Sequence, residues 1–194
     1  MSDLLITNVD VLTDNGTLKN HAIAIENGYI TAILTGEEAK SVQSKETLDG
    51  KGQLAAPGLV NTHTHIAMGL FRNYADDLEL MDWLETAIWP TEAKLNDDLV
   101  KWGTQLGIAE MLRSGTTTFS DMYFFMNTTA DVVKETGIRA VLSRGLAGVS
   151  PTADQALVEN ADLFRTYHGY DNDRIKVLLG PGLNIHLQTL QTEC

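Results

Sequence analysis

The residues Asn61-Thr62-His63-Thr64-His65 are the part of this chain whose types and spacing most directly suggest chemistry. In an extended strand, residues i and i+2 lie on the same face. The spacing therefore predicts that His63 and His65 present two imidazoles to one point. Neutral imidazole is the commonest protein ligand for zinc and similar borderline ions. The pair ends a short strand-forming run, Leu59-Val60-Asn61-Thr62-His63, and precedes a loop. The carboxyl end of a strand is where parallel α/β barrels build their active sites. Taken alone, a His-x-His at a strand end is equally compatible with two hydrogen-bonded polar side chains.

Such a pair needs a sheet to hold it. Residues 4–55 read as strands. Leu4 to Leu12 is rich in β-formers and ends at Asp14-Asn15-Gly16, His21 to Ile25 ends at Glu26-Asn27-Gly28, and Tyr29 to Leu34 follows. These are hairpin turn signals, so the segment is expected to be a meander within a small β-sandwich or barrel. Gly50 to Gly58, with Pro57, marks a change of layout. Beyond it, helices are expected over residues 77–89, about 96–113, 128–136 and 152–167. Strands are expected over 116–121, 138–143 and 174–180. Alternation of this kind implies an α/β fold with a parallel sheet and right-handed crossovers. One spacing breaks the rule: only Pro181 and Gly182 separate the run ending at Gly180 from Leu183-Asn184-Ile185-His186-Leu187. Adjacent parallel strands need a crossover of about a dozen residues or more. Either these runs turn back antiparallel, or a helix is missing between them.

Composition narrows the function classes. With 14 Lys+Arg against 26 Asp+Glu, the net charge is −12, which excludes a basic nucleic-acid or anionic-membrane surface. A single cysteine, Cys194, excludes an intrachain disulfide framework and fits a reducing compartment. No run reaches the roughly 18 apolar residues of a membrane span, and Met1 to Ile6 lacks the basic region of a secretory signal. A cytoplasmic location is expected. At 194 residues, the chain suits one ordinary domain and falls below the ~250 residues typical of an eight-fold α/β barrel.

The run Pro57-Gly58-Leu59-Val60-Asn61-Thr62-His63-Thr64-His65, after about fifty β-rich residues, resembles the amidohydrolase superfamily, whose first barrel strand carries a metal-binding His-x-His. Met68-Gly69-Leu70-Phe71-Arg72-Asn73, Asp82-Trp83-Leu84, Ile88-Trp89-Pro90-Thr91-Glu92, residues 110–119 and Asp121-Met122-Tyr123-Phe124 are similar to the branch of 5-methylthioadenosine/S-adenosylhomocysteine deaminases and chlorotriazine-type hydrolases. The resemblance runs over roughly residues 4–180. It implies residues 1–56 as the N-terminal part of a composite β-sandwich domain, and residues 57–194 as an incomplete TIM-type (β/α) barrel. It also implies a metal-dependent hydrolase of non-peptide C–N bonds, with Zn2+ or another divalent ion such as Fe2+ activating water to displace ammonia from a purine nucleoside-like small molecule. A homo-oligomer is among the family's expectations. The alternatives are a guanine or cytosine deaminase, an s-triazine chlorohydrolase, or a truncated relative without turnover.

The resemblance also bears on single residues. On chemistry alone Glu92 is a first-turn acid of a helix starting after Trp89-Pro90, whereas the family's matching glutamate binds ribose hydroxyls. Arg144, at an expected strand end, matches an arginine near the substrate, and Trp83 an aromatic near the purine. His186 is implied as a third metal ligand, although Thr189 and Leu190 stand where the family has Glu-Thr. That missing glutamate normally handles the proton, and no catalytic acid or base is assigned here. Asp121 has no second carboxylate nearby and is expected to be structural or to support a ligand. His21 and His168 are expected to be ordinary surface or packing histidines. Further ligands from later strands, and a histidine expected after Gly180-Pro181, are absent. A deletion between Pro181 and Gly182 would explain both that loss and the missing crossover.

Overall fold

Two asparagine–glycine turns fold the first strands back on one another. Asn27 and Gly28 both have positive φ, 53° and 80°, the pairing a tight hairpin with the sheet's own twist requires. β1 (Ser2–Thr13), β2 (Gly16–Glu26) and β3 (Tyr29–Thr35) form the meander. A four-residue helix, α1 (Gly36–Ala39), follows, capped reciprocally by Thr35 and Glu38. β4 (Ser44–Ala55) then lies parallel to β1, giving the order β3-β2-β1-β4. Leu5, Ala22, Ala24 and Ala39 bury one cluster, and Val9, Val11 and Ile23 another.

A computed structural model describes residues 1–146 and 153–181 of the chain, which divides into two units, Met1–Pro57 and Gly58–Cys194. The second unit is α/β. Its strands are β5 (Leu59–Thr64), β6 (Thr116–Tyr123), β7 (Arg139–Leu146) and β8 (Ile175–Val177), in that order and all parallel. A two-residue β9 (Gly180–Pro181) also pairs with β7. The run from Leu183, including His186, lies outside the described residues. Among the described residues, no helix is long and apolar enough to cross a membrane.

Between β5 and β6 the chain forms a 3-10 helix (Ile66–Phe71), then a continuous helical run of α2 (Leu80–Trp83), a π-helical turn (Leu84–Ile88) and α3 (Trp89–Glu92), and then α4 (Asp97–Arg113). α5 (Met126–Thr136) and α6 (Ala153–Tyr167) supply the later crossovers. Here one expectation is corrected. Pro90 does not start the helix that contains Glu92; the run passes through it, and Glu92 is its last residue. Proline has no N–H to return to the preceding turn, and the π turn just before it, with Trp89 N–H donating to Leu84 O, lets the helix continue. The next helix begins at Asp97, where Asn96 Oδ1 accepts from Leu99 N–H.

The core of this unit lies between the sheet and its helices, where Phe119, Leu142, Ile175 and Val177 meet Val100, Ile108, Val133 and Leu163. α4 closes on the 3-10 helix through two glycines. A Cβ at Gly103 would stand 2.6 Å from Ala67 O, and one at Gly107 2.5 Å from Ile66 Cγ1. The segment that follows His65 is thus pressed against the core. In Gly103→Ala the helix gains about 1 kcal/mol of propensity, but overpacking against backbone costs about 1–3 kcal/mol. Chemical denaturation should show a net loss of stability for Gly103→Ala. Gly69→Ala, which meets nothing within 4 Å, serves as the control.

Candidate metal centre

The two histidines come together at the carboxyl end of β5. Their ring centres are 5.3 Å apart and the planes are inclined by 77°. Two imidazoles sharing one tetrahedral zinc at Zn–N of about 2.0–2.1 Å hold their ring centres about 5 Å apart, the separation this pair has. His65 Nδ1 donates to Met122 O at 2.6 Å. Because a carbonyl oxygen accepts, Nδ1 carries the proton and Nε2 presents its lone pair, the arrangement found where a backbone carbonyl fixes a metal-binding histidine. His63 is exposed and His65 half-buried.

Simple alternation does not give the local backbone. Asn61 pairs with Phe119 and Thr64 with Asp121, so three steps along β5 match two along β6. One extra residue therefore bulges at Thr62-His63. Bulges re-aim side chains next to active sites. His63 N–H is held by Asn61 Oδ1 at 3.3 Å. Beyond the bulge, Thr64 Oγ1 lies 2.9 Å from both Ser120 O and Asp121 Oδ1. Ile66 N–H donates to the same Asp121 oxygen at 3.0 Å.

Asp121 is 1% exposed. Burial pushes its carboxyl up to about 6, against the bonds from Ile66 N–H and Thr64 and the nearby His65, which pull it down. Its Oδ2 has no hydrogen-bond partner among the described residues.

Glu92 joins the same neighbourhood through Tyr123, which is not among the candidate site residues. Tyr123 OH donates to Glu92 Oε1 at 2.8 Å, and the Tyr123 ring lies 5.9 Å from that of His65. Burial raises the Glu92 carboxyl above its ordinary value, while the Tyr123 bond and His65 oppose the rise. Burial, with Glu92 beside it, drives the Tyr123 hydroxyl far up, so it remains a donor. The available signal was alternation: Phe119, Asp121 and Tyr123 are the buried every-second residues of β6.

Arg144 and Trp83 make no described hydrogen bond to this group, but Arg144 is the β7 register partner of Tyr123 and reaches its ring through Phe124. Arg144 shares the alternation of Leu142 and turns toward α6. Its Nε donates to Glu159 Oε2 at 2.6 Å, and its guanidinium covers the Phe124 ring at 4.6 Å. Trp83 is half-buried at the end of α2. His21 and His168 use their rings on backbone, with Nδ1 of His21 against Lys19 O and Nδ1 of His168 beside Val177. No three His, Cys, Asp or Glu side chains converge among the described residues.

The model of the amidohydrolase family matches residues 54–188. The chain belongs to that family. It is similar to a 5-methylthioadenosine/S-adenosylhomocysteine deaminase of Dictyoglomus turgidum, 47% identical over 178 residues, covering 92% of this chain and 41% of the relative. A 5'-deoxyadenosine deaminase of Methanosarcina acetivorans is 42% identical over 219 residues, covering all of this chain and 50% of the relative. Among solved structures, an adenosine deaminase from Xanthomonas campestris with bound zinc superposes with a TM-score of 0.79 at 36% identity, over 93% of this chain and 43% of that one. This amidohydrolase chain thus spans about half or less of these relatives. The 219-position match exceeds its 194 residues by 25, so at least that many positions of the Methanosarcina protein have no counterpart here.

The Glu92–Tyr123 bond is open to a direct check. In Tyr123→Phe the carboxylate loses a donor that favours its charged form, so the Glu92 pKa should rise further in a carbon-detected NMR titration. An unchanged Glu92 titration would show that the bond is not made.

Proposed function

We propose that this chain carries the first half of the metal site of a hydrolytic deaminase acting on adenosine-type nucleosides altered at the 5' position. The carrying observation is the pair His63 and His65, 5.3 Å apart, with the tautomer of His65 set by Met122 O. The named activities of two relatives, on 5-methylthioadenosine or S-adenosylhomocysteine and on 5'-deoxyadenosine, support the substrate class. All three share adenine and ribose and differ in the group carried on C5'.

His63 and His65 would hold the ion, with Zn2+ favoured by the imidazole donors and by the zinc-bound relative. His186, outside the described residues, is the third candidate ligand. A bound divalent ion supplies a water acidic enough to be deprotonated near neutrality. The chain's own residues do the rest of what can be assigned. His65 is locked in its tautomer by β6, and Glu92, oriented by Tyr123, offers a carboxylate oxygen to ribose hydroxyls. Arg144 and Trp83 remain substrate-side candidates on the strength of the family resemblance. A cytoplasmic location and a homo-oligomeric assembly belong to the same proposal.

A second reading, a relative that holds metal without turnover, is favoured by the 25 unmatched positions. A deletion after Pro181 agrees with them, because relatives matched over 178 residues already cover 92% of the chain almost without gaps.

One experiment separates these readings. The purified chain and His63→Ala are loaded with Zn2+, assayed for bound metal, and offered 5'-deoxyadenosine, 5-methylthioadenosine, guanine and an s-triazine. About one Zn2+ per chain, lost in His63→Ala, with deamination of the two nucleosides, is the expected result. Metal without any turnover supports the second reading, whereas turnover confined to guanine or the triazine overturns the nucleoside assignment. Equal zinc in both proteins overturns the site itself.

A further inference from the structure

Three consecutive residues of β6 hold three consecutive residues of β5 and its exit, and only one of the six does so with a buried charge. Ser120 O faces Thr64 Oγ1, Asp121 Oδ1 takes both Thr64 Oγ1 and Ile66 N–H, and Met122 O takes His65 Nδ1. The ladder is broken at this point by the bulge at Thr62-His63. Main-chain pairing resumes only at Thr64, opposite Asp121, and these side-chain bonds add to it beside the histidines. Ile66 N–H opens the 3-10 helix, whose first donors have no partner within the helix.

We propose that Asp121 is the positioning residue of the metal pair: by holding Thr64 and Ile66 on either side of His65 it fixes the imidazole geometry, and its carboxylate makes the site attractive to a divalent cation. This inference rests on the metal reading above.

Two features exceed what packing requires. A neutral residue would bury more cheaply, since a carboxylate at 1% exposure needs a compensating partner. Oδ1 takes two donors, yet Oδ2 has none among the described residues. A cation held by the residues flanking Thr64 would balance that charge at short range. Outer partners of this kind typically change metal affinity by about 10–100-fold. Asp121 is not assigned as a ligand: its described bonds all go to the backbone and hydroxyl that frame His65.

The test uses Co2+, whose visible spectrum reports ligand geometry, on the wild-type chain, Asp121→Ala, Asp121→Asn and Thr64→Val. Circular dichroism and thermal melting are recorded in parallel. Asp121→Ala should bind Co2+ about 10–100-fold more weakly with an altered spectrum. Asp121→Asn, which keeps the acceptor and loses the charge, should recover the wild-type spectrum but only part of the affinity. A merely structural Asp121 would lower the melting temperature and leave affinity and spectrum of the folded protein unchanged; that result overturns the proposal. If Asp121→Ala does not fold, Thr64→Val decides. It removes one bond to Asp121, and a wild-type spectrum and affinity in that variant overturn the proposal. If the wild-type chain binds no Co2+, the metal reading itself fails. If wild type binds and Asp121→Ala binds equally, the positioning inference alone fails.

Discussion

The parallel contact between β5 and β6 is the constraint on which the rest of the second unit depends. Among the described residues β5 pairs with β6 alone, so its place in the sheet comes from that contact. A regular ladder would have tied the backbone and left the imidazoles to alternation. Instead one residue is extruded at Thr62-His63, and the strand ends in side-chain bonds to Ser120, Asp121 and Met122. The local ladder bonds forgone there, each worth about 0.5–1.5 kcal/mol net, are replaced by bonds that fix one ring's tautomer and the backbone on both sides of it.

The surrounding helices make that arrangement rigid. α4 approaches the 3-10 helix so closely that Gly103 and Gly107 have no room for a methyl group. Ile66 and Ala67 are buried in the same cluster as Val100 and Ile108. Arg72 forks onto Glu110 of α4 at 2.8–3.0 Å, but this exposed pair contributes little beside the packing. The run that ends at Glu92 reaches the same site, and Tyr123, next but one to Asp121, ties it down. One strand, β6, therefore organises both the histidine pair and the acid beside it.

The parts legible in the sequence are those governed by local period and turn chemistry. Asn27-Gly28 announced a hairpin because both residues accept positive φ. The long apolar pattern of α4 stood between Asn96 and Gly115 and folds between them. The His-x-His spacing was informative because two residues of one strand must lie close. What was illegible is non-local. The bulge depends on register against β6, which residues 59–65 do not encode by themselves. Glu92 and Tyr123 are 31 residues apart, and no period links them. Pro90 was misleading for a different reason: proline suits the first turn of a helix, and that preference gives no warning of a π turn that carries an earlier helix through it. The side-chain direction of Arg144 follows from its parity with Leu142, yet its partner Glu159 lies on a separate helix.

The central claim is that the β5–β6 junction presents His63 and His65 as a ready pair for one divalent ion. X-ray absorption of the Zn2+-loaded chain tests it most directly, because imidazole ligands leave a distinct outer-shell scattering pattern. The account predicts at least two imidazoles per zinc at Zn–N of about 2.0–2.1 Å, with that scattering lost when both histidines are replaced. Zinc surrounded by oxygen alone, or imidazole scattering that survives the replacement of both residues, would contradict it.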